Sequence, residues 1–216
     1  MRKQRSLWLV LSFLAVAGML TAFAPPPSPA AELSATEAEG LAFMREEEKL
    51  AHDLYTELYD LYGLPVFANI ARSESQHMQV MLDLLESYGL EDPAADKAPG
   101  EFREPALQTL YNDLLARAQA SQEEALCVAA LVEETDILDL QQRMAQTEQA
   151  HIVTAYSRLL QASGQHLRVF SGQIERLTGV EYTPQLMTAD EYSQIQSAPG
   201  AGTPGAGRGR GRGGPR

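Results

Sequence analysis

Residues 41–58 read LAFMREEEKLAHDLYTEL, and the apolar side chains in this stretch recur every three or four positions. That spacing places side chains on one face of an α-helix, whereas a strand would require a spacing of two. The apolar face comprises Leu41, Met44, Ala51, Tyr55 and Leu58. The stretch therefore predicts an amphipathic helix that packs into a bundle.

An acidic residue occupies this face where another apolar residue is due. Glu48 lies four residues after Met44 and three before Ala51, and Glu47 is nearly as well aligned. A buried carboxylate without a partner is costly, so an acid at a core position predicts a raised pKa, a neighbouring cation or a bound metal. The alternative is that residues 46–48 are a charged patch at the helix margin.

The same helical periodicity continues over residues 32–196. Ser or Thr followed three residues later by Glu marks helix starts at Ser34, Thr36, Ser121 and Thr188. No segment alternates like a strand, so we predict an all-α fold, a four-helix bundle with an extra short helix between the second and third long helices. The five helices before Thr188 are predicted to cover residues 36–62, 66–88, 104–119, 122–144 and 149–178.

The second long helix carries Glu74 and His77, whose spacing of three places both side chains on one face beside the apolar stripe. Bundles that bind two metal ions take Glu from two helices and a Glu-x-x-His pair from each of the other two. The pair therefore predicts metal ligands. On its own it fits a surface hydrogen bond equally well, because an acidic helical protein contains this spacing by chance.

The third long helix has acids directly after a strongly apolar run. Glu133 shares its face with apolar residues, and Asp136 lies three positions beyond it. Glu134 is the alternative ligand, one step further round the helix, on the side of Leu131 and Leu138. Four acids within residues 133–139 are difficult to place in water together, although a solvated edge remains open for two of them.

The fourth long helix carries His166 on its apolar side, with Ser163 where a symmetric two-metal site would have Glu. Glu148 and His151 form another Glu-x-x-His pair, but they lie about 20 Å away along the helix and are predicted to be surface residues. A lone buried His is more often a satisfied core residue than a ligand. The prediction that His166 binds metal therefore depends on the acids of the other three helices.

The two ends of the chain differ from its middle. A basic start, an apolar run over residues 7–23 and a Pro-rich stretch predict a signal peptide and linker over residues 1–31. We therefore expect a secreted, periplasmic or cell-envelope protein, with an uncleaved membrane anchor as the alternative. Residues 197–216 are rich in Gly, Pro and Arg and are predicted to be a disordered tail.

The composition supports one folded domain over residues 32–196. The chain has 216 residues, 44% of them hydrophobic, and a formal net charge of −12. Its Lys and Arg are concentrated at the two ends, so the folded part lacks the basic face that nucleic-acid binding requires. Cys127 is the only cysteine, which excludes a disulfide within the chain.

Four stretches in combination resemble a known family. They read MREEEKLAHDLY (44–55), YGLPVFANIARSESQH (62–77), EETDILDL (133–140) and HLRVF (166–170). The chain is similar over residues 37–195 to the ferritin-like family catalogued as domain of unknown function 2202. The wider ferritin-like group, including rubrerythrin, implies a four-helix bundle with a di-iron carboxylate centre that handles oxygen or peroxide, or oxidises ferrous iron.

The resemblance also implies a ligand set, residue by residue. Ser163 departs from it, and either Asp136 or the second Glu of the 133–134 pair is the candidate to replace the missing carboxylate. The implied ligands are Glu48, Glu74, His77, Glu133 or Glu134, and His166.

We expect a non-haem iron oxidoreductase of the ferroxidase or peroxidase type, with two iron ions, manganese as the alternative metal, and oxygen or peroxide as the reaction partner. A homodimer is a further expectation. Two other functions remain open: a metal-binding or iron-sequestering protein without turnover, and an exported helical interaction module in which no metal binds.

Overall fold

The computed structural model describes residues 33–198. The predicted signal peptide and linker, and all but the first two residues of the predicted tail, lie outside these residues. The described part of the chain contains six helices and no strand, so the predicted all-α fold with a short helix after the second long helix is confirmed. The helices are α1 (Ala35–Tyr62), α2 (Pro65–Ser87), α3 (Pro105–Ala118), α4 (Gln122–Met144), α5 (Ala150–Thr178) and α6 (Ala189–Ser197).

The helix boundaries follow local sequence signals. Ser34 caps α1 in a capping box with Glu37, and Thr188 caps α6 in the same way. Gly63, with φ of 66°, ends α1 in the left-handed conformation that glycine adopts without strain, and Pro65 then begins α2. Among the helices of residues 33–198, none has both the length and the apolar character required to cross a bilayer.

The four long helices form a ring in the order α1, α2, α5, α4. α1 packs on α2 and α4, and α5 packs on the same two helices, whereas α2 and α4 do not pack against each other. Gly40 lies beside Arg143, and Tyr55 contacts Glu133, so α1 and α4 are antiparallel. α2 turns back along α1 after Gly63, so α2 and α4 are both antiparallel to α1 and run in the same direction. The segment of residues 88–121 must therefore run the length of the bundle. Bundles with one such crossover are an established class.

Charged residues of α1 hold this crossover in place. Lys49 bonds to the carboxylate of Asp53 and donates a hydrogen bond of 2.8 Å to the carbonyl of Ala98. Asp53 in turn accepts a hydrogen bond of 2.9 Å from the backbone N–H of Gly100. The charged run on α1 is therefore buried under the crossover.

Two further contacts on α1 complete the attachment. Arg45 pairs with Asp92 at 3.1 Å, and the carboxylate of Glu46 accepts the backbone N–H groups of Arg103 and Glu104. All residues from Arg45 to Lys49 are buried, so the alternative of a charged patch at the helix margin is wrong.

A polar layer divides the interior of the bundle into two apolar clusters. One cluster contains the aromatic side chains of Tyr55, Phe67 and Phe170, and the other contains Leu41, Met44, Met81 and Leu159. In each long helix, buried polar residues separate the part that belongs to one cluster from the part that belongs to the other. The buried polar residues of that layer are Glu47, Glu48, Glu74, His77, Glu133, Asp136, Ser163 and His166.

Candidate metal centre

The first half of the polar layer brings α1 and α2 together. The Nδ1 atom of His77 lies 2.6 Å from Glu74 Oε2 and 3.2 Å from Glu48 Oε2. The spacing of three in α2 makes the first contact, and the packing of α1 on α2 makes the second. One ligand atom from each of these three residues lies within 4.8 Å of the others, a spacing that suits a metal ion.

The second half joins α2, α4 and α5. His166 Nδ1 lies 2.8 Å from Glu74 Oε1 and 3.5 Å from Glu133 Oε2. Glu74, Glu133 and His166 form a second group whose ligand atoms also lie within 4.8 Å of one another. Glu74 therefore belongs to both groups, and its two oxygens face different histidines. We call the groups triad one (Glu48, Glu74, His77) and triad two (Glu74, Glu133, His166).

Several ligand atoms in the triads have no hydrogen-bond partner. They are buried and are found on Glu48 (Oε1), Glu74 (Oε1) and His166 (Nδ1). The last two atoms are only 2.8 Å apart, yet they are not aligned for a hydrogen bond. Unpartnered buried polar atoms are rare in folded proteins, because each costs the desolvation free energy of the group. Their convergence fits residues that share a cation.

Electrostatic interactions in the triads strongly raise the pKa values of the two histidines. Burial by itself lowers the pKa of His77, but the contacts with Glu48 and Glu74 outweigh burial and raise this pKa to about 11. Burial likewise lowers the pKa of His166, and Glu133 and Glu74 raise it to about 10. Without metal, both imidazoles are therefore protonated on both nitrogens at neutral pH. Their positive charge neutralises part of the carboxylate charge.

The pKa values of the carboxylates shift in different directions. Burial raises the pKa of Glu74, but the two histidines outweigh burial and lower it to about 2. Burial also raises the pKa of Glu48, and the net result is about 7 in spite of His77. The pKa values of Glu133 and Asp136 are raised, mainly by burial. Two protonated histidines are thus too few to hold all these acids ionised, so the layer has unfilled capacity for positive charge.

Glu134 lies outside both triads. Its carboxylate accepts hydrogen bonds from the Tyr182 hydroxyl at 2.6 Å and from the backbone N–H groups of residues 185–187. Of the two alternatives on the third long helix, the structure therefore brings Glu133, and not Glu134, together with the other candidate ligands. One helical step of about 100° turns Glu134 toward the loop that follows α5.

Asp136 belongs to neither triad. Its Oδ2 accepts a hydrogen bond of 2.5 Å from Ser163, the residue that stands where Glu was expected, and its Oδ1 has no partner. Glu148 and His151 are exposed, and His151 stacks on Tyr88 with ring centroids 5.2 Å apart at the end of the bundle. They lie apart from the triads.

Two residues outside the triads support the candidate ligands. The Ser73 hydroxyl lies 3.1 Å from Nε2 of His166 and so contacts the ring nitrogen that does not face the triad. Tyr55, on the apolar face of the first helix, packs against Phe67 and Phe170 and also donates a hydrogen bond of 2.7 Å to Glu133. The position of Ser73 next to Glu74 in sequence was the only signal available for it.

Comparison with known proteins gives one family and one relative of known structure. The family model described as Uncharacterized protein domain (DUF2202) matches residues 37–199. Uncharacterized protein MJ0754 of Methanocaldococcus jannaschii is 39% identical over 170 residues, which is 79% of this chain and 91% of that protein. The crystal structure of hypothetical protein MJ0754 from Methanococcus jannaschii is 38% identical with a TM-score of 0.75, and the match covers 81% of this chain and 98% of that chain.

Proposed function

This chain belongs to the family described as Uncharacterized protein domain (DUF2202), and from that premise and its buried triads we propose that it is a ferritin-like protein that binds two metal ions. The ions are iron, and the activity is redox chemistry with oxygen, peroxide or ferrous iron. The predicted signal peptide supports placing this activity outside the cytoplasm.

The observation that carries the proposal is the double use of Glu74. Its Oε2 faces His77 and its Oε1 faces His166, and each histidine has a second carboxylate beside it. In di-iron and di-manganese bundles, Glu residues and Glu-x-x-His pairs from four helices project into the core, and the two triads likewise draw on four helices. A carboxylate that is only buried, or that only forms a structural ion pair, does not need to face two histidines.

The donor atoms favour particular metals. Each triad offers two carboxylates and one imidazole, and no cysteine belongs to either triad. Mixed oxygen and nitrogen donors suit iron or manganese, whereas thiolate-rich sites select zinc or iron–sulfur clusters. The choice of iron over manganese rests on the resemblance to the ferritin-like group.

The residues around the triads would prepare them for this chemistry. Ferrous iron held by the two triads would supply the electrons with which oxygen or peroxide is reduced. The Tyr55 hydroxyl holds Glu133 in place, and the Ser73 hydroxyl contacts the outer nitrogen of His166. The aromatic cluster of Tyr55, Phe67 and Phe170 closes one side of the layer to water.

Anaerobic loading with ferrous iron tests the metal site. We expect two iron ions per chain in the wild type, and neither in Glu74→Ala, because both triads lose their shared ligand. His77→Ala and His166→Ala should each retain one ion. The matched control is Glu148→Ala combined with His151→Ala, which removes the exposed Glu-x-x-His pair and should leave two ions. Absence of bound iron in the wild type contradicts the proposal.

Stopped-flow absorbance separates turnover from storage. Ferrous-loaded protein mixed with oxygen, and separately with peroxide, should oxidise its iron faster than the same iron in buffer. Oxidation at the buffer rate with both oxidants contradicts a redox enzyme and favours a metal-sequestering protein. A Glu74→Ala variant that oxidises iron as fast as the wild type would exclude the triads as the reaction site.

A further inference from the structure

A groove lies where α6 and the loop before it meet the contact between α4 and α5. Its volume is about 250 Å³. An apolar cavity of about 150 Å³ is large enough to bind benzene, so the groove has room for one substituted ring. Aliphatic side chains form most of its lining: Ile137, Leu138, Leu160, Met187 and Ile195.

Hydrogen bonds to the rest of the bundle fix the walls of the groove. The carboxylate of Glu134 accepts the backbone N–H of Met187 at 3.0 Å, and Arg168 donates a hydrogen bond of 2.8 Å to the carbonyl of Ile195. Gly164 keeps the space open, because a Cβ atom there would already lie 3.7 Å from Ile195 and a longer side chain would occupy the groove. The cavity is therefore a preformed part of the fold, as ligand sites usually are.

Three polar side chains complete the lining. Gln141, Glu191 and Gln194 are exposed and border the groove. The two amides offer both N–H donors and carbonyl acceptors. Within residues 33–198, no Lys, Arg or His lines the groove, and Glu191 adds negative charge, so the lining disfavours an anion. The groove therefore suits a neutral molecule with an apolar body and hydrogen-bonding groups at its edge.

The sequence that follows the groove does not match this lining. Residues 199–216 come directly after Ala198, which borders the groove, and they consist only of Pro, Gly, Ala, Thr and Arg. None of these residues has a large apolar side chain that would fill an aliphatic cavity. A separate molecule is therefore the better occupant.

We propose that the groove binds a small neutral aromatic alcohol of the hydroquinone class. Its ring would lie against the aliphatic side chains, and its hydroxyl groups would bond to the amides of Gln141 and Gln194.

The position of the groove indicates the use of such a ligand. In α4, Ile137 directly follows Asp136, and it lies four residues, or about 6 Å, beyond Glu133 of triad two. In α5, Gly164 directly follows Ser163, whose hydroxyl donates a hydrogen bond to Asp136. The groove therefore adjoins the polar layer that contains the triads.

A hydroquinone at this place would serve as the electron donor. Oxidation of one hydroquinone to its quinone releases two electrons and two protons; the electrons return two ferric ions to the ferrous state, and the protons pass to solvent. This role rests on the proposed function, whereas the binding site itself does not.

Anaerobic calorimetric titration of the metal-free full chain with trimethylhydroquinone tests the site. We expect one molecule bound per chain. Leu138→Trp, which fills the groove, should abolish binding, and Gln194→Ala should weaken it by roughly 2- to 10-fold, because one hydrogen bond is lost. Leu110→Trp replaces a leucine of α3 that is also half-buried, so it is the matched control and should bind as the wild type does.

Absence of binding to the wild type, or equal binding by Leu138→Trp, overturns the proposal. Far-ultraviolet circular dichroism checks folding. If Leu138→Trp does not fold, the exposed position decides, and an unchanged affinity in Gln194→Ala overturns the proposal. Sedimentation velocity tests a second copy of the chain as the occupant: a dimer that Leu138→Trp dissociates would assign the groove to that copy and overturn the proposal.

Iron separates this site from the proposed function. Binding of trimethylhydroquinone by a wild type that holds no iron supports the groove and contradicts the proposed function. In protein loaded with iron and then oxidised, trimethylhydroquinone should reduce the iron faster in the wild type than in Leu138→Trp, with two ions bound in both. Equal rates of reduction contradict the role as electron donor.

Discussion

His77 and His166 carry protons that a metal ion must displace. Their pKa values of about 11 and about 10 in the metal-free protein mean that both are protonated at pH 7. Since Nδ1 of each imidazole is the atom that faces the carboxylates, metal binding at this atom requires loss of its proton. Glu48, with a pKa of about 7, is half protonated at this pH and adds to the release.

We therefore predict that loading with Mn²⁺ at pH 7 releases between about two and three protons per chain. Because protons compete with the metal, the affinity must rise as pH rises, and this rise should continue until pH approaches the two histidine pKa values. A pH indicator in weakly buffered solution measures the release. The His77→Ala, His166→Ala variant should release about two protons fewer, and equal release from both proteins contradicts the prediction.

Ser73 is predicted to orient His166 without binding the metal. Its hydroxyl contacts Nε2, so Ser73→Ala leaves the ring free to turn away from triad two. Loss of such an outer contact lowers metal affinity by roughly 10–100-fold. We expect one of the two triad ions to bind more weakly, as measured by Mn²⁺ titration. Ser75→Ala is the control, because Ser75 bonds only to the carbonyl of Arg72 in its own helix, and an equal loss in the control contradicts the prediction.

The residues of the candidate metal centre were only partly predictable from sequence. Helical spacing located Glu74 and His77 but left Glu47 against Glu48 and Glu133 against Glu134 as alternatives. Adjacent helical positions differ by about 100°, and all four acids proved to be buried, so burial alone does not choose between them. The choice depends on partners from other helices, and spacing within one helix carries no information about those.

At the scale of elements, Glu134 connects α4 to the segment between α5 and α6. Its carboxylate accepts hydrogen bonds from the Tyr182 hydroxyl and from three consecutive backbone N–H groups, those of residues 185–187. These donors replace the cation that a buried carboxylate otherwise needs. Glu134 therefore has a structural role, although it is of the same chemical type and in the same helix as the candidate metal ligand Glu133.

We predict that Glu134→Ala lowers the free energy of unfolding by at least about 3 kcal/mol, because it leaves several buried donors without an acceptor. For a domain of this size, that loss lowers the midpoint of thermal unfolding by roughly 6–12 °C. Metal stoichiometry should stay at the wild-type value. Glu175→Gln, an exposed acid on α5, serves as control. Loss of a bound ion in Glu134→Ala would count against a purely structural role.

The elements themselves followed closely from sequence, but the path of the crossover did not. Capping boxes, Gly63 and Pro65 are local signals, and each acts within a few residues of the boundary that it sets. The crossover is instead held by Glu46 and Asp53, whose carboxylates bind backbone N–H groups more than 45 residues away. Backbone N–H groups are the same in every residue except proline, so sequence does not identify which of them will be bound.

At the scale of the whole molecule, the polar layer interrupts an otherwise continuous core. Apolar clusters on both sides fix the four helices, so the carboxylates cannot move out to water without disrupting packing. The metal-free protein therefore holds several buried acids together, and their mutual repulsion is a cost to its stability. Cations that bind the folded layer and not the unfolded chain remove this cost.

Metal loading should consequently stabilise the entire fold. At free Mn²⁺ 100-fold above the dissociation constant, each occupied site adds about 2.7 kcal/mol to the free energy of unfolding, or about 5 kcal/mol for two sites. That gain corresponds to a rise of roughly 10–20 °C in the unfolding midpoint, measured by differential scanning calorimetry and reversed by a chelator. Glu74→Ala, which removes the ligand common to both triads, should lose most of the rise. Equal midpoints with and without metal in the wild type would mean that the layer is stable as a protonated network, and that the unpartnered oxygens have another explanation.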